Sequence, residues 1–243
     1  MYFILSLTSQ VIAIYVAAAI LPAAFLMHYI YKKDTVEKES PQLLWACVGR
    51  GVLAVIASIV LESVGQAVLN TSGLKANTPV YTAVLAFLVV AVVEEGTKYF
   101  FMARLTWRNP EFNYRFDGIV YAAFTSLGFA AVENVKYVFS FGLSVALPRA
   151  VLSIPGHLGF AVVFGYFYGR AKYADNQNRS AARTANLIAG YLLSVILHGT
   201  YDFCAMRGSA RSTGMFIGFV VIMYLVIFNL IRHESWTDRE IMY

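Results

Sequence analysis

The chain has 243 residues, of which 59% are hydrophobic and only 14% are charged. Soluble globular domains carry about 25% charged residues, so this composition excludes an ordinary soluble domain. Several apolar runs exceed the roughly 20 residues that a helix needs to cross a bilayer. The formal net charge of +5 could suggest a nucleic-acid partner, but the placement of the basic residues gives it a better explanation in membrane topology.

The predicted fold is an all-α, polytopic transmembrane helical bundle that forms a single integral membrane domain over residues 1–243. About seven spans are predicted, with approximate ends at 3–30, 43–66, 79–103, 116–140, 148–170, 185–206 and 212–231. The first run is followed, not preceded, by basic residues, which is the reverse of a cleavable signal peptide. Cys47 and Cys204 fall in different spans at opposite membrane ends, so we expect no disulfide between them.

The 19 Lys and Arg residues are divided unevenly between the two sets of predicted loops. One set contains Lys32, Lys33, Lys38, Arg104, Arg108, Arg115, Arg170, Lys172, Arg179, Arg183, Arg232 and Arg239. The opposite set contains Lys75, Arg149, Arg207 and Arg211. Because basic loops stay in the cytoplasm, we predict an N-terminus outside the cell and a C-terminus in the cytoplasm.

The third span carries the densest group of charges within an apolar run. Its sequence reads Glu94-Glu95-Gly96-Thr97-Lys98. Helical spacing places Lys98 on the same face as both glutamates. One ion pair would leave the second carboxylate without a partner, and an ionisable group inside the membrane is functional by default. We therefore favour a functional site over a structural ion pair here.

Spans two and four carry further polar residues. Ser58, Glu62 and Gln66 share one face of span two, and we interpret them as an interfacial polar face. Span four contains Glu133 and Asn134 in an apolar setting, with Lys136 as a candidate partner for Glu133. Since Asn134 also needs a partner, a functional site is the favoured reading of this group.

Spans five and six each contain a histidine. In span five, Pro155 interrupts the helical hydrogen bonds just before His157, so neighbouring groups must satisfy the freed carbonyl group. In span six, His198 and Asp202 are stacked on one helical face, where the carboxylate can orient the imidazole. The glutamates of span three are expected near the midplane and the other groups in the outer half, so one shared cavity open to the outside is plausible.

These residues resemble the motifs of the PrsW family of bacterial intramembrane proteases, which is distantly related to the CAAX prenyl endopeptidases and bacteriocin-processing enzymes. Glu94-Glu95-Gly96-Thr97-Lys98 resembles its EExxK motif, and Phe129-Ala130-Ala131-Val132-Glu133 resembles an FxxxE motif. Gly156-His157 and His198-Gly199-Thr200-Tyr201-Asp202 resemble the third and fourth motifs. The likeness covers roughly residues 79–206, which we take as the catalytic core. The CAAX branch instead shows EExxxR and FxxxH, so prenylated substrates are not expected.

The resemblance implies a multi-pass enzyme of the bacterial inner or plasma membrane that cleaves a membrane-anchored protein near its extracytoplasmic side. In the best-known branch the substrate is an anti-sigma factor, whose regulated proteolysis releases a stress response. No nucleic-acid partner is implied. The predicted catalytic residues are Glu94, Glu95, Glu133, His157, His198 and Asp202, and the predicted supporting residues are Lys98, Phe129 and Asn134.

Two forms of the chemistry fit the residue types. In the first, Glu94 is the general base that activates water, and His198 or His157 stabilises the oxyanion or protonates the leaving amine. In the second, a metal such as zinc is held by His157, His198, Glu133 and Asp202. The HExxH spacing of many zinc proteases is absent, which slightly favours the first form.

A different class of function uses the same residues. Carboxylates and histidines near the midplane suit the proton relay of a proton-coupled secondary transporter, and the helix break at Pro155 is common in such proteins. Against it, the seven spans show no internal repeat and do not divide evenly. A non-catalytic scaffold would not need ionisable groups in four spans, and we favour the protease.

Overall fold

The computed structural model of the chain describes residues 2–208 and 210–241, with side chains described for 9–208 and 212–241. The side chain of Arg211, counted above among the outer loop residues, lies outside this part. Long helices dominate the described residues: α1 (Tyr2–Lys33), α2 (Pro41–Thr71), α3 (Pro79–Thr106), α4 (Asp117–Phe141), α5 (Leu143–Asn176), α6 (Ser180–Arg207) and α7 (Ala210–Trp236).

All seven helices contain an apolar stretch long enough to cross a membrane. The prediction of an all-α bundle with seven spans is therefore confirmed, whereas the orientation of the termini stays a prediction. The outward faces are apolar, with side chains such as Phe25 (70% exposed) and Leu147 (73% exposed). In a membrane protein these faces meet lipid, so their exposure carries no cost. Both cysteines are free, as expected.

Helix α4 lies at the centre of the bundle. Its most hydrophobic window is 78% buried, more than that of any other span, and it packs against α1, α2 and α5. Close approach to α5 depends on glycines, because a Cβ added to Gly118 would lie 2.6 Å from the backbone oxygen of Gly165. The small-residue pattern of Gly165 and Gly169 is thus a true packing contact. In contrast, Gly214 and Gly218 of α7 have no neighbour in the described structure that an added Cβ would contact.

Two of the helices contain a π-helical segment immediately before a predicted site residue. In α3 the segment Val84–Ala91 precedes Glu94, and in α5 the segment Arg149–Ser153 precedes His157. Such segments are often found at functional sites because they shift the phase of the residues that follow.

Pro155 removes one helical hydrogen bond, as predicted, but α5 continues through it without a break, and the freed carbonyl group has a partner. The amide that would bond the carbonyl oxygen of Val151 is missing at Pro155. The hydroxyl of Tyr224 in α7 donates to that oxygen at 2.7 Å and to the carbonyl oxygen of Leu152 at 3.1 Å. A side chain from a neighbouring helix thereby replaces the lost backbone hydrogen bond.

The C-terminal segment folds back onto the loop before α4. The backbone amide of Arg115 donates to the carbonyl oxygen of Arg239 at 3.0 Å, and that of Ile241 donates to the carbonyl oxygen of Asn113 at 2.6 Å. The carboxylate of Asp238 accepts a hydrogen bond from the amide of Phe116 at 2.9 Å. The tail is therefore part of the folded bundle at the end that carries most of the basic residues.

Candidate active site

The ammonium group of Lys98 is the centre of the candidate site. It donates to Glu94 Oε2 at 3.1 Å, to Glu95 Oε1 at 2.9 Å and to His157 Nδ1 at 3.1 Å. These four side chains are buried. The aromatic ring of Phe129 covers the same ammonium, with 4.1 Å from Nζ to the ring centroid. Lys98 thus pairs with both glutamates at once, so neither carboxylate is left alone.

The hydrogen bonds of His157 fix its tautomer. A lysine ammonium can only donate, so Nδ1 of His157 accepts from Lys98. The other nitrogen, Nε2, lies 3.0 Å from Glu133 Oε2 and therefore carries the hydrogen. The hydroxyl of Ser126 donates to the carbonyl oxygen of His157 at 3.0 Å. His157 consequently links the third span to the fourth through one neutral imidazole.

His198 bonds a different pair of carboxylates. Its Nδ1 lies 2.9 Å from Glu95 Oε1, and its Nε2 lies 3.4 Å from Asp202 Oδ2 and 4.0 Å from Glu94 Oε2. The ring of Phe160 stacks on the imidazole at 4.7 Å between centroids. The predicted contact with Asp202 is present, but the shorter contact to Glu95 contributes more to the orientation of His198.

Arg149 is a member of the site that the sequence interpretation missed. It donates from Nη2 to Glu133 Oε2 and from Nε to Asn134 Oδ1, both at 2.8 Å, and its guanidinium lies over the ring of Tyr137. The sequence places Arg149 in an outer loop and offers Lys136 only as a candidate partner for Glu133. In the structure the cation beside Glu133 is Arg149, at the start of α5. The only sign of Arg149 in the sequence was Glu133, a glutamate in an apolar span that needs a positively charged partner.

Asn134 serves the packing of the bundle. Besides accepting from Arg149, it donates from Nδ2 to the backbone oxygen of Ala19 in α1 at 2.8 Å. The side chain is fully buried. Its role as a supporting residue remains a prediction, but its hydrogen bonds tie α1 to the residues that hold Glu133.

One cavity of about 550 Å³ joins the predicted residues from four spans. Five of the six predicted catalytic residues line it: Glu94, Glu133, His157, His198 and Asp202. Glu95 does not line this cavity and lies behind it, bonded to Lys98 and His198. The shared cavity expected from the sequence is therefore present, and of the two adjacent glutamates only Glu94 lines it.

A second cavity of about 400 Å³ continues from the first along α2 and α3. Glu62 and Lys136 line both cavities. Ser58, which also lines the first cavity, bonds the Thr97 hydroxyl at 2.8 Å. Our interpretation of Ser58, Glu62 and Gln66 as an interfacial polar face is therefore wrong for Ser58, which is buried, and stays a prediction for Glu62. Gln66 does lie further out, where it bonds Asn70 and Tyr81.

Three buried donor residues lie close enough together to suggest a metal site. Among the described residues, Glu94, Glu95 and His157 form the one group of three whose ligand atoms all lie within 4.8 Å of one another. Lys98 Nζ, however, lies at 2.9–3.1 Å from an atom of each. The ammonium already occupies the position of a cation bound to all three, so this arrangement does not fit a metal.

The predicted zinc ligands are arranged as two separate pairs. Glu133 contacts His157, and Asp202 contacts His198. The two imidazole rings lie 5.4 Å apart at their centroids and are nearly perpendicular.

The comparisons with known proteins agree with this geometry. A family model described as PrsW family intramembrane metalloprotease matches residues 39–231. The chain belongs to the PrsW family. It is 35% identical to protease PrsW of Geobacillus kaustophilus over 77% of this chain and 78% of that protein. It is 29% identical to protease PrsW of Oceanobacillus iheyensis over 90% of this chain and 95% of that protein. No solved structure matches the chain.

Membership of the PrsW family establishes the protein as a membrane-embedded protease. Its bacterial relatives and its seven apolar helices make it a multi-pass protein of the bacterial cell membrane. A protease in this setting acts on a membrane protein and is surrounded by lipid. The family description also includes a metal. Glu94, Glu95 and His157 are the described residues whose donor atoms lie close enough together to hold one, but the ammonium of Lys98 takes that position in the structure.

Proposed function

We propose that the protein hydrolyses a peptide bond of a membrane-anchored protein near its extracytoplasmic side, using water activated by Glu94. The observation that carries the proposal is the single cavity in which Glu94, His157 and His198 come together from three helices. Residues 79–206 form the catalytic core of one membrane domain. Following the family resemblance, an anti-sigma factor is the proposed substrate, and its cleavage would start a stress response.

Glu94 is the proposed general base, and Glu95 is the proposed positioning residue. Glu94 lines the cavity, whereas Glu95 is bonded to His198 Nδ1 and to Lys98 behind it. Glu94 would take a proton from water as the oxygen attacks the carbonyl carbon of the scissile bond. The 4.0 Å separation between Glu94 Oε2 and His198 Nε2 leaves the two groups close enough to act on one peptide.

The histidines provide the remaining chemistry. The tetrahedral intermediate carries negative charge on the former carbonyl oxygen, which hydrogen-bond donors stabilise. We assign this role to His198, which Asp202 and Glu95 orient. When the carbon–nitrogen bond breaks, the proton held by Glu94 passes to the leaving amine. Glu133 and Arg149 would keep His157 in the tautomer that accepts from Lys98.

We propose that this reaction needs no metal ion. Support comes from Lys98, whose ammonium occupies the position among Glu94, Glu95 and His157 that a metal would take. Zinc bound there would require Lys98 to leave three buried partners. No step of the mechanism above passes through a metal.

The test is cleavage of a panel of single-span reporter proteins by the purified chain in liposomes. Glu94→Gln keeps the size of the side chain and removes the base, so we expect a loss of at least 100-fold, within the range for general-base catalysis of about 10²–10⁴. The matched control is Asp175→Asn, which removes a surface carboxylate paired with Arg183 and should cleave as the wild type does.

Each reaction is repeated with a strong chelator and with added zinc. Activity that survives the chelator supports glutamate-activated water. Activity that is lost with the chelator and restored by zinc would overturn the metal-free mechanism. Wild-type activity in Glu94→Gln would overturn the assignment of the base. To test the substrate, an anti-sigma factor is included in the panel beside unrelated single-span proteins, and equal cleavage of all of them would contradict the preference.

A further inference from the structure

A separate pocket lies at the other end of the bundle, among the basic residues that predict the cytoplasmic side. It has a volume of about 240 Å³ and is remote from the residues of the active site. The lining residues are Arg115, Arg170, Tyr173, Ala174, Arg179, Ala182, Asn186 and Arg239. Four arginines and no acidic residue line this pocket, which we call the arginine pocket.

Three of the four arginines have no acidic partner in the part of the chain whose side chains are described. Arg115 forms an ion pair with Glu234 at 3.3 Å, yet its Nε is buried without a hydrogen-bond partner. Arg170 donates to the neutral hydroxyl of Tyr166. No ion pair involves Arg170, Arg179 or Arg239 within residues 9–208 and 212–241. The pocket therefore holds an excess of positive charge that the protein itself does not neutralise.

The first turn of α6 adds to this positive potential. Arg179 is the N-cap residue of Ser180–Arg207, and no side chain caps the helix there. The first amides of a helix have no partner within the helix, and the helix dipole places partial positive charge at this end. Ala182 of this first turn lines the pocket. Guanidinium groups and free helix amides together are a typical environment for a phosphate group.

Beyond the pocket, α6 exposes an apolar strip on a different face of the helix. Ile188, Leu192 and Ile196 are spaced by four residues, so they lie on one face of the helix. They are 54%, 50% and 51% exposed. This strip indicates that the part of α6 that follows the pocket faces lipid.

We propose that the arginine pocket binds a phosphate group, of the kind carried by an anionic phospholipid headgroup or by free phosphate. Basic pockets between transmembrane helices on the cytoplasmic side are suited to anionic headgroups. Arg239 comes from the C-terminal segment and Arg115 from the loop before α4, so the ligand would also hold the tail against the bundle.

The test measures lipid binding to the purified full chain in detergent by native mass spectrometry. Phosphatidylglycerol and phosphatidylcholine are titrated separately. The wild type should bind phosphatidylglycerol more tightly. The double variant Arg179→Gln, Arg239→Gln should bind it roughly 30-fold more weakly, as expected for two basic groups near a headgroup. Both side chains are exposed, so circular dichroism should show an unchanged fold.

The matched control removes two arginines at the same end of the bundle but outside the pocket. Arg183 pairs with Asp175, and Arg232 bonds Asn229. The variant Arg183→Gln, Arg232→Gln should bind phosphatidylglycerol with an affinity within about three-fold of the wild type. That change is smaller than the change expected from removing one basic group near the headgroup. Equal losses in the two double variants, or no loss in the first, would overturn the proposal.

A competition experiment distinguishes the two sources of the phosphate group. Inorganic phosphate at millimolar concentration is added to the complex with phosphatidylglycerol. Displacement of the lipid by phosphate would identify free phosphate as a sufficient ligand. Retention of the lipid would identify the headgroup together with its acyl chain as the ligand. Either outcome, with the loss in the first double variant, supports phosphate recognition by the arginine pocket.

Discussion

Replacing Lys98 with methionine would keep the length of the side chain and remove the ammonium that bridges Glu94, Glu95 and His157. The side chains of Lys98, Glu94 and Glu95 are only 6%, 7% and 5% exposed, so water cannot compensate for the lost charge. Breaking a buried ion pair by removing one partner costs about 3–5 kcal/mol. For a chain of this size, that corresponds to a fall in the unfolding temperature of roughly 6–20 °C.

The measurement is thermal unfolding of the purified variant in detergent micelles, with Lys75→Met as a control in an exposed loop. Adding Glu95→Gln to Lys98→Met removes one of the two carboxylates left without a cation. The double variant should therefore be more stable than the sum of the single effects, by about 0.5–3 kcal/mol. An unfolding temperature of Lys98→Met within about 2 °C of the wild type, less than 1 kcal/mol on this scale, would refute the central role of Lys98.

Three further predictions concern other parts of the bundle. Tyr224→Phe removes the donor to the carbonyl group of Val151 and should destabilise the protein by about 1–3 kcal/mol in the same thermal assay; an unchanged unfolding temperature would contradict it. In Gly199→Val, the new side chain should clash with the ring of Phe87 and lower the free energy of unfolding by about 1–3 kcal/mol. Reporter cleavage should also fall because His198 is adjacent. Full activity would contradict this, since it would mean that the two helices move apart without disturbing the site. Burial raises the pKa of Asp34, in the loop after α1, to about 6, so the folded protein favours the protonated carboxyl. The stabilisation from this carboxyl is therefore complete below about pH 4 and is lost as the pH rises through 6. The resulting fall should be about 2–3 kcal/mol, with partial screening by solvent included, and absent in Asp34→Asn, and an equal slope in both proteins would contradict this origin.

The sequence predicted the helices well because length and hydropathy alone decide whether a segment can cross a bilayer. It also identified Glu94, Lys98, Glu133, His157 and His198 as polar groups that need partners. Intramembrane charges stand out against an apolar background in a way that charges of a soluble protein do not. That contrast explains why residues from four helices were correctly expected in one cavity.

The partners themselves were harder to predict, because they depend on tertiary packing. Arg149 reaches Glu133 because α5 begins at Leu143, almost two turns before Arg149, whereas hydropathy alone began this span at Pro148. Glu95 orients His198 across two helices, and no spacing within one helix encodes that contact. The π-helical segments were not predicted either, since they arise from packing and not from a residue pattern.

The distribution of charge between helices also bears on how the chain enters the membrane during synthesis. A charge near the centre of a helix costs about 2.5–3.5 kcal/mol on insertion. In α3 the cation lies on the same helix as both glutamates, so α3 can enter the bilayer alone with one excess negative charge. Glu133 and Arg149, however, neutralise each other only between α4 and α5. The hairpin of these two helices is therefore the unit that relieves the insertion cost, and its members should leave the translocon together.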